Sequence, residues 1–87
     1  MLKNKVGYAV ILEECAKIAR ERQEQYGEAS KSIKLATEIL DSMFGIKLTP
    51  KQFCYVIVAL KMSREKFNHK EDNIKDTINY LAMSLIC

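Results

Sequence analysis

Thr49-Pro50-Lys51-Gln52-Phe53-Cys54-Tyr55-Val56-Ile57-Val58-Ala59-Leu60 decides the fold class of this chain. From Phe53 to Leu60 it runs through eight apolar residues without a break, rich in β-branched types, which suits a buried strand as well as a buried helix. The residues in front separate the two. Thr49 three places ahead of Gln52 is a capping-box pattern, and Pro50 takes the first helical position, where its missing N–H is no loss. The stretch from Leu60 to Lys66 favours helix as well. A helix is therefore expected from Pro50, and with it an all-α fold. A helix that is apolar on every side must be covered on every side. One small bundle core covers about half of it. Tyr55, Val58 and Met62 are left to meet a second subunit, so a homo-oligomer is expected.

Three more helices read outward from this segment. The first runs from about Asn4 to Gln25 and stops at Tyr26-Gly27, the glycine suiting the left-handed terminating position. Its apolar stripe is Tyr8, Ile11, Leu12, Cys15, Ile18, Ala19 and Tyr26. The second covers about Ser30 to Phe44, with Ile33, Ala36, Leu40, Met43 and Phe44 on one face, and Gly45 ends it. The fourth begins near Asp72 and runs to the end of the chain, with Ile74, Ile78, Leu81 and Leu85 as its core stripe. Connections are short and there is no repeat. The expectation is a compact four-helix bundle, one domain over residues 1–87.

A hydrophobic content of 48% is ample for a core and too high for a disordered chain. The net charge of +3 permits an anionic small ligand but lacks the dense basic patch of a nucleic-acid binder. The fourth segment offers only Lys75 as a basic side chain, which argues against major-groove reading by segments three and four. Cys15, Cys54 and Cys87 make an odd count without C-x-x-C spacing, as expected of reduced thiols in a cytoplasmic protein. The apolar run Val6–Leu12 ends at once in Glu13-Glu14 and does not read as a leader. No stretch approaches the ~20 apolar residues of a membrane span.

Two arginines interrupt the apolar stripes. Arg22 falls at the centre of the first, and Arg64 falls between Phe53, Ile57 and Leu60 on the third, so both are expected to aim inward. An unpaired buried charge costs several kcal/mol, so each arginine must find a carboxylate, a phosphate or water. Asp72, Asp76, Tyr80 and Met83 recur along one line of the fourth segment. If segments three and four pair antiparallel, Lys61 and Arg64 face Asp72 and Asp76. Arg22 and Tyr26 then close the same pocket, with Asn68-His69-Lys70 at its mouth. The same residues also suit a plain structural ion network, with Asp72 as a helix cap and His69 in solvent. One histidine and no paired cysteines argue against a zinc site, and no glycine-rich phosphate loop is present.

Leu12-Glu13-Glu14-Cys15, Arg22-x-x-x-Tyr26-Gly27, Leu48-Thr49, Lys61-x-x-Arg64 and Asp72-Asn73-x-x-Asp76-x-x-x-Tyr80 together resemble a small phage-associated helical domain of uncharacterised function. That domain is distantly similar to the all-α nucleoside triphosphate pyrophosphohydrolases of the MazG and dimeric dUTPase type. The resemblance covers nearly the whole chain and implies a helical, oligomeric protein built around a nucleotide pocket. Those enzymes hold magnesium with a Glu-x-x-Glu pair on one helix and a Glu-x-x-Asp pair on the next. Here Lys61-x-x-Arg64 stands where the first pair is expected. Lysine and arginine cannot ligate magnesium but do attract phosphate, arginine bidentately.

The leading expectation is thus a non-catalytic nucleotide binder with no cofactor and no metal, phage-encoded and able to sequester a host defence signalling nucleotide. Its site residues are Arg22, Lys61 and Arg64 for phosphate, Tyr26 and Tyr80 for a base or ribose, and Asp72 and Asp76 as acceptors. One alternative is a divergent pyrophosphohydrolase in which Glu14, Asp72 and Asp76 hold a single magnesium. The other is a structural or protein-interaction module.

Overall fold

The structure is a computed structural model that describes residues 7–87. It contains four helices, α1 (Gly7–Tyr26), α2 (Ala29–Phe44), α3 (Pro50–Phe67) and α4 (Glu71–Met83), and no strand among the described residues. The expected start of the first helix at Asn4 lies outside the described residues.

The apolar run from Phe53 to Leu60 is helical throughout. Its start is a complete capping box: the Gln52 N–H donates to Thr49 Oγ1 at 3.1 Å, and Gln52 Oε1 accepts from the Thr49 N–H at 2.9 Å. Two donors that a helix start otherwise leaves unpaired are thereby satisfied. Helices α1 and α2 each end on a glycine in the left-handed region. Gly27 has φ 82° and donates to Gln23 O, and Gly45 has φ 67° and donates to Asp41 O. Only glycine adopts that conformation without steric cost, so both stops are written in the sequence.

Helices α3 and α4 form an antiparallel hairpin with the most extensive contact in the molecule. Helix α1 packs on α4 and α2 packs on α3, while α1 and α2 touch each other least. The α1–α4 seam is fastened by the buried Cys15. Its carbonyl accepts from Asn79 Nδ2 at 3.1 Å, and its thiol lies 3.8 Å from Lys75 O. Lys75 Nζ adds an ion pair to Glu14 at 3.1 Å, and that carboxylate raises the Lys75 pKa above its ordinary value.

Helix α4 is turned differently from the expectation. Leu85 is 82% exposed, Leu81 45% and Ile74 38%, whereas Asn73 and Ser84 are buried. The polar side formed by Asn73, Asp76, Thr77, Asn79 and Ser84 faces inward because each of these residues finds a partner. Thr77 and Ser84 return their hydroxyls to their own helix, donating to Asn73 O at 2.7 Å and Leu81 O at 2.6 Å. Asn73 and Asp76 reach α3, and Asn79 reaches α1. A polar group satisfied in this way removes most of the cost of burial. The helix also stops at Met83 rather than at the end of the chain, closing in a tight turn over 84–86. In α1, Ile11, Cys15 and Ile18 turn inward while Tyr8, Leu12, Ala19 and Tyr26 are exposed; in α2, Met43 and Phe44 leave the expected face for solvent.

The three thiols sit in different surroundings. Cys15 and Cys54 are buried and Cys87 is exposed. Burial and the neighbouring Cys87 thiol push the Cys54 pKa up to about 11. Because the thiolate is the reactive form, a disulfide reagent such as Ellman's reagent is expected to titrate Cys87 rapidly in the native protein. Cys15 and Cys54 should react only with global unfolding. Fast reaction of Cys54 in native buffer would contradict the packing of α3 described here.

Candidate functional site

The antiparallel hairpin sets Lys61 of α3 opposite Asp76 of α4. Lys61 Nζ lies 2.9 Å from Asp76 Oδ2, with the two side chains 20% and 15% exposed. Arg22 approaches the other carboxylate oxygen from the last turns of α1, at 3.9 Å. That distance is beyond a hydrogen bond, and the Arg22 side chain is 55% exposed. One carboxylate therefore faces two cations. Lys61 neutralises Asp76 closely, and the Arg22 guanidinium keeps its donors free toward solvent.

Arg22 borders a groove of about 690 Å3 between the end of α1, the start of α2 and the second half of α4. Its walls include Gln23 and Tyr26 from α1, Ser32 and Ile33 from α2, and Asp76, Asn79, Tyr80 and Met83 from α4. The Gly27 turn closes one end. There Ser32 Oγ donates to Tyr26 O at 3.3 Å and braces the connection between α1 and α2. Tyr26 stands at the rim, 71% exposed, and Tyr80 is half-buried in the wall. A positive group, two aromatic rings and several amide and hydroxyl groups thus converge on one opening. Its volume lies within the ~300–1,000 Å3 usual for small-molecule sites.

Residues 6–86 match a domain of unknown function, DUF6378. The chain belongs to this family. No curated protein and no solved structure matches it. Among the described residues of this DUF6378 domain, no helix is long and apolar enough to cross a membrane.

The structure brings together Arg22, Tyr26, Asp76 and Tyr80 around the groove, with Lys61 holding Asp76 from behind. It does not bring in the other two expected site residues. Arg64 is exposed and makes no ion pair among the described residues, because the inward side of α3 runs through Cys54, Lys61 and Glu65 and leaves Arg64 on its edge. Asp72 is exposed in the first turn of α4 and does not cap it; Lys70 holds the capping position. The loop 68–70 lies at the opposite end of α4 from the groove rather than at its mouth. Glu14, Asp72 and Asp76 do not converge either, since Glu14 is bound by Lys75 and Asp76 by Lys61. No three His, Cys, Asp or Glu among the described residues are grouped to hold a metal.

One polar centre has no counterpart in the sequence reading. Glu65 accepts from the Lys70 N–H at 3.0 Å and from Asn73 Nδ2 at 3.1 Å, and it contacts His69 Nδ1. It serves as the anion at the start of α4, a place where the backbone dipole favours negative charge. The Glu65–His69 spacing of four was the available signal. The His69 and Lys70 hydrogen bonds draw the Glu65 pKa from 4.5 down to about 2.

Two outcomes follow for stability. A carboxyl whose folded pKa is depressed stabilises in its ionised form. The Glu65 contribution is thus fully present above pH 4.5 and is lost as pH falls through about 2. Glu65→Gln should flatten the acid limb of a stability-against-pH curve between those values; an unchanged limb would contradict the role. Lys61→Met, which strands a mostly buried carboxylate, should cost roughly 1–3 kcal/mol in urea unfolding. The double change Lys61→Met with Asp76→Leu should recover most of that loss, and failure to recover would mean that the pair is not coupled.

Proposed function

We propose that the groove between α1, α2 and α4 binds a nucleotide without turning it over. The observation that carries this reading is the two-to-one arrangement at Asp76. Lys61 already neutralises the carboxylate, so the half-exposed Arg22 is a cation aimed at an opening and left without a close partner. Guanidinium groups bind phosphate bidentately in that situation. Tyr26 and Tyr80 supply aromatic faces for a base, and Gln23, Ser32 and Asn79 supply hydrogen-bonding groups for a base edge or ribose. Lys61 acts here through Asp76 rather than as a phosphate ligand.

The bound state of Asp76 also favours binding over catalysis. A carboxylate held at 2.9 Å by an ammonium group is not free to ligate magnesium. The MazG-type likeness carried by Lys61-x-x-Arg64 and Asp72-Asn73-x-x-Asp76 fits the same reading, as a nucleotide pocket rebuilt without its metal. A phage-encoded protein of this design would act in the host cytoplasm as a stoichiometric trap for a defence signalling nucleotide.

The test mixes purified protein with mono-, di-, cyclic and dinucleotides, with and without Mg2+, and chromatographs the filtrate and the material released by heat. Depletion of one nucleotide with intact recovery is the expected result. Arg22→Ala should weaken binding by tenfold or more, on the order of 1.4 kcal/mol. It should leave the melting temperature nearly unchanged, since an exposed pair at this distance contributes ~0–1 kcal/mol. Metal-dependent products would establish the pyrophosphohydrolase alternative instead. Millimolar affinity for every nucleotide would end the binding reading.

A further inference from the structure

We propose that the outer face of the α3–α4 hairpin docks against the same face of a second copy of this chain, related by a two-fold axis. The surface area calls for a partner. The chain exposes 6706 Å2, whereas a folded monomer of 10.0 kDa exposes about 5,200 Å2. The chain's surface exceeds that value, and obligate homodimers bury about 2,000–5,000 Å2 in all, about half of it from each subunit. The described residues contribute few fully buried apolar side chains, namely Cys15, Ile33 and Cys54. A core this small leaves much of the apolar surface of the helices to be covered from outside.

The contacts within the protomer select the face. On α4, Asn73 and Asp76 reach α3, while Lys75 and Asn79 reach α1. Helical spacing then puts Ile74, Ile78 and Leu81 on the remaining side. On α3, Lys61 and Glu65 reach α4, which leaves Tyr55, Ala59 and Met62 on the side turned away from the bundle. Both stripes look outward from the α3–α4 layer, away from α1 and α2. Of these residues, Tyr55 is 49% and Leu81 45% exposed.

Charge distinguishes this face from the exposed apolar stripe on α2. Between Lys51 and Lys66 it carries no charged residue from α3, and beyond Glu71 none from α4. Depletion of charge at the centre of a patch is the compositional mark of an interface. The stripe Leu35–Ile39–Met43 on α2 instead runs beside Lys31 and Glu38. A self-complementary patch closes as a two-fold dimer, and the small Ala59 at its middle permits close approach of the helices. The groove opens on the opposite side of α4, so this pairing leaves it free and stands independently of the nucleotide reading.

Sedimentation equilibrium of the native chain at high-micromolar concentration is expected to give twice 10.0 kDa, with a melting temperature that rises with protein concentration. Met62→Glu and Leu81→Glu, each placing a charge on this face, should weaken association by roughly 100-fold. Leu35→Glu should leave it unchanged. A single-chain mass with a concentration-independent melting temperature overturns the proposal without recourse to any variant. A dimer that survives both hairpin changes but dissociates with Leu35→Glu places the interface on α2 and overturns it as well.

Discussion

The contact between Lys61 and Asp76 governs both the packing and the chemistry of this protein. It lies inside the α3–α4 hairpin, where neither side chain is more than 20% exposed. A charge held so far from water demands a close partner, and the demand fixes how the two central helices lie along each other. The same carboxylate forms part of the groove wall. Because Lys61 satisfies it from the α3 side, Arg22 on the α1 side has no need to fold down onto it. The hairpin and the groove thus share one side chain, and the cation that stabilises the interior leaves a second cation exposed at the surface.

The interior of α4 explains why so much apolar surface lies outside. Asn73, Thr77 and Ser84 are turned inward, with the hydroxyls returned to their own helix and the Asn73 amide spent on Glu65 of α3. Thr37 of α2 does the same with Lys34 O at 2.7 Å. Such groups can be buried at little cost, but they gain little from hydrophobic transfer. Ile74 and Leu81 on the flank of α4 are left exposed instead. The polar residues of this bundle are thus satisfied within the protomer, while much of its apolar surface stays exposed.

Local signals in the sequence were the legible ones. The Thr49–Gln52 capping box distinguishes helix from strand, and Gly27 and Gly45 mark the ends of α1 and α2 because each needs a left-handed backbone. The Lys61–Asp76 pair and the inclusion of Arg22, Tyr26 and Tyr80 around one opening also follow from spacing and a short reversal, but Arg22 stands 55% exposed at the rim rather than aimed into the core as its place in the stripe implies. The rotation of α4 did not follow from spacing. An apolar stripe reports that a face will be covered, but not whether its own chain or another covers it. Arg64 was misplaced for a related reason, since Phe53, Ile57 and Leu60 mark one edge of α3 rather than its centre. Glu65 passed unnoticed because its partners, Lys70 and Asn73, come within reach only once the chain has turned at 68–70.

The groove lies on a seam. Helix α1 is fastened to α4 and α2 to α3, while α1 and α2 touch each other least, joined by Gly27 and Glu28 and braced by Ser32 Oγ on Tyr26 O. The width of the opening is therefore set by two separately anchored walls, and no tightly packed contact spans it. Substitutions along its rim can reshape the opening without disturbing the hairpin that holds the fold. The shape of this opening can therefore vary while the scaffold behind it stays fixed.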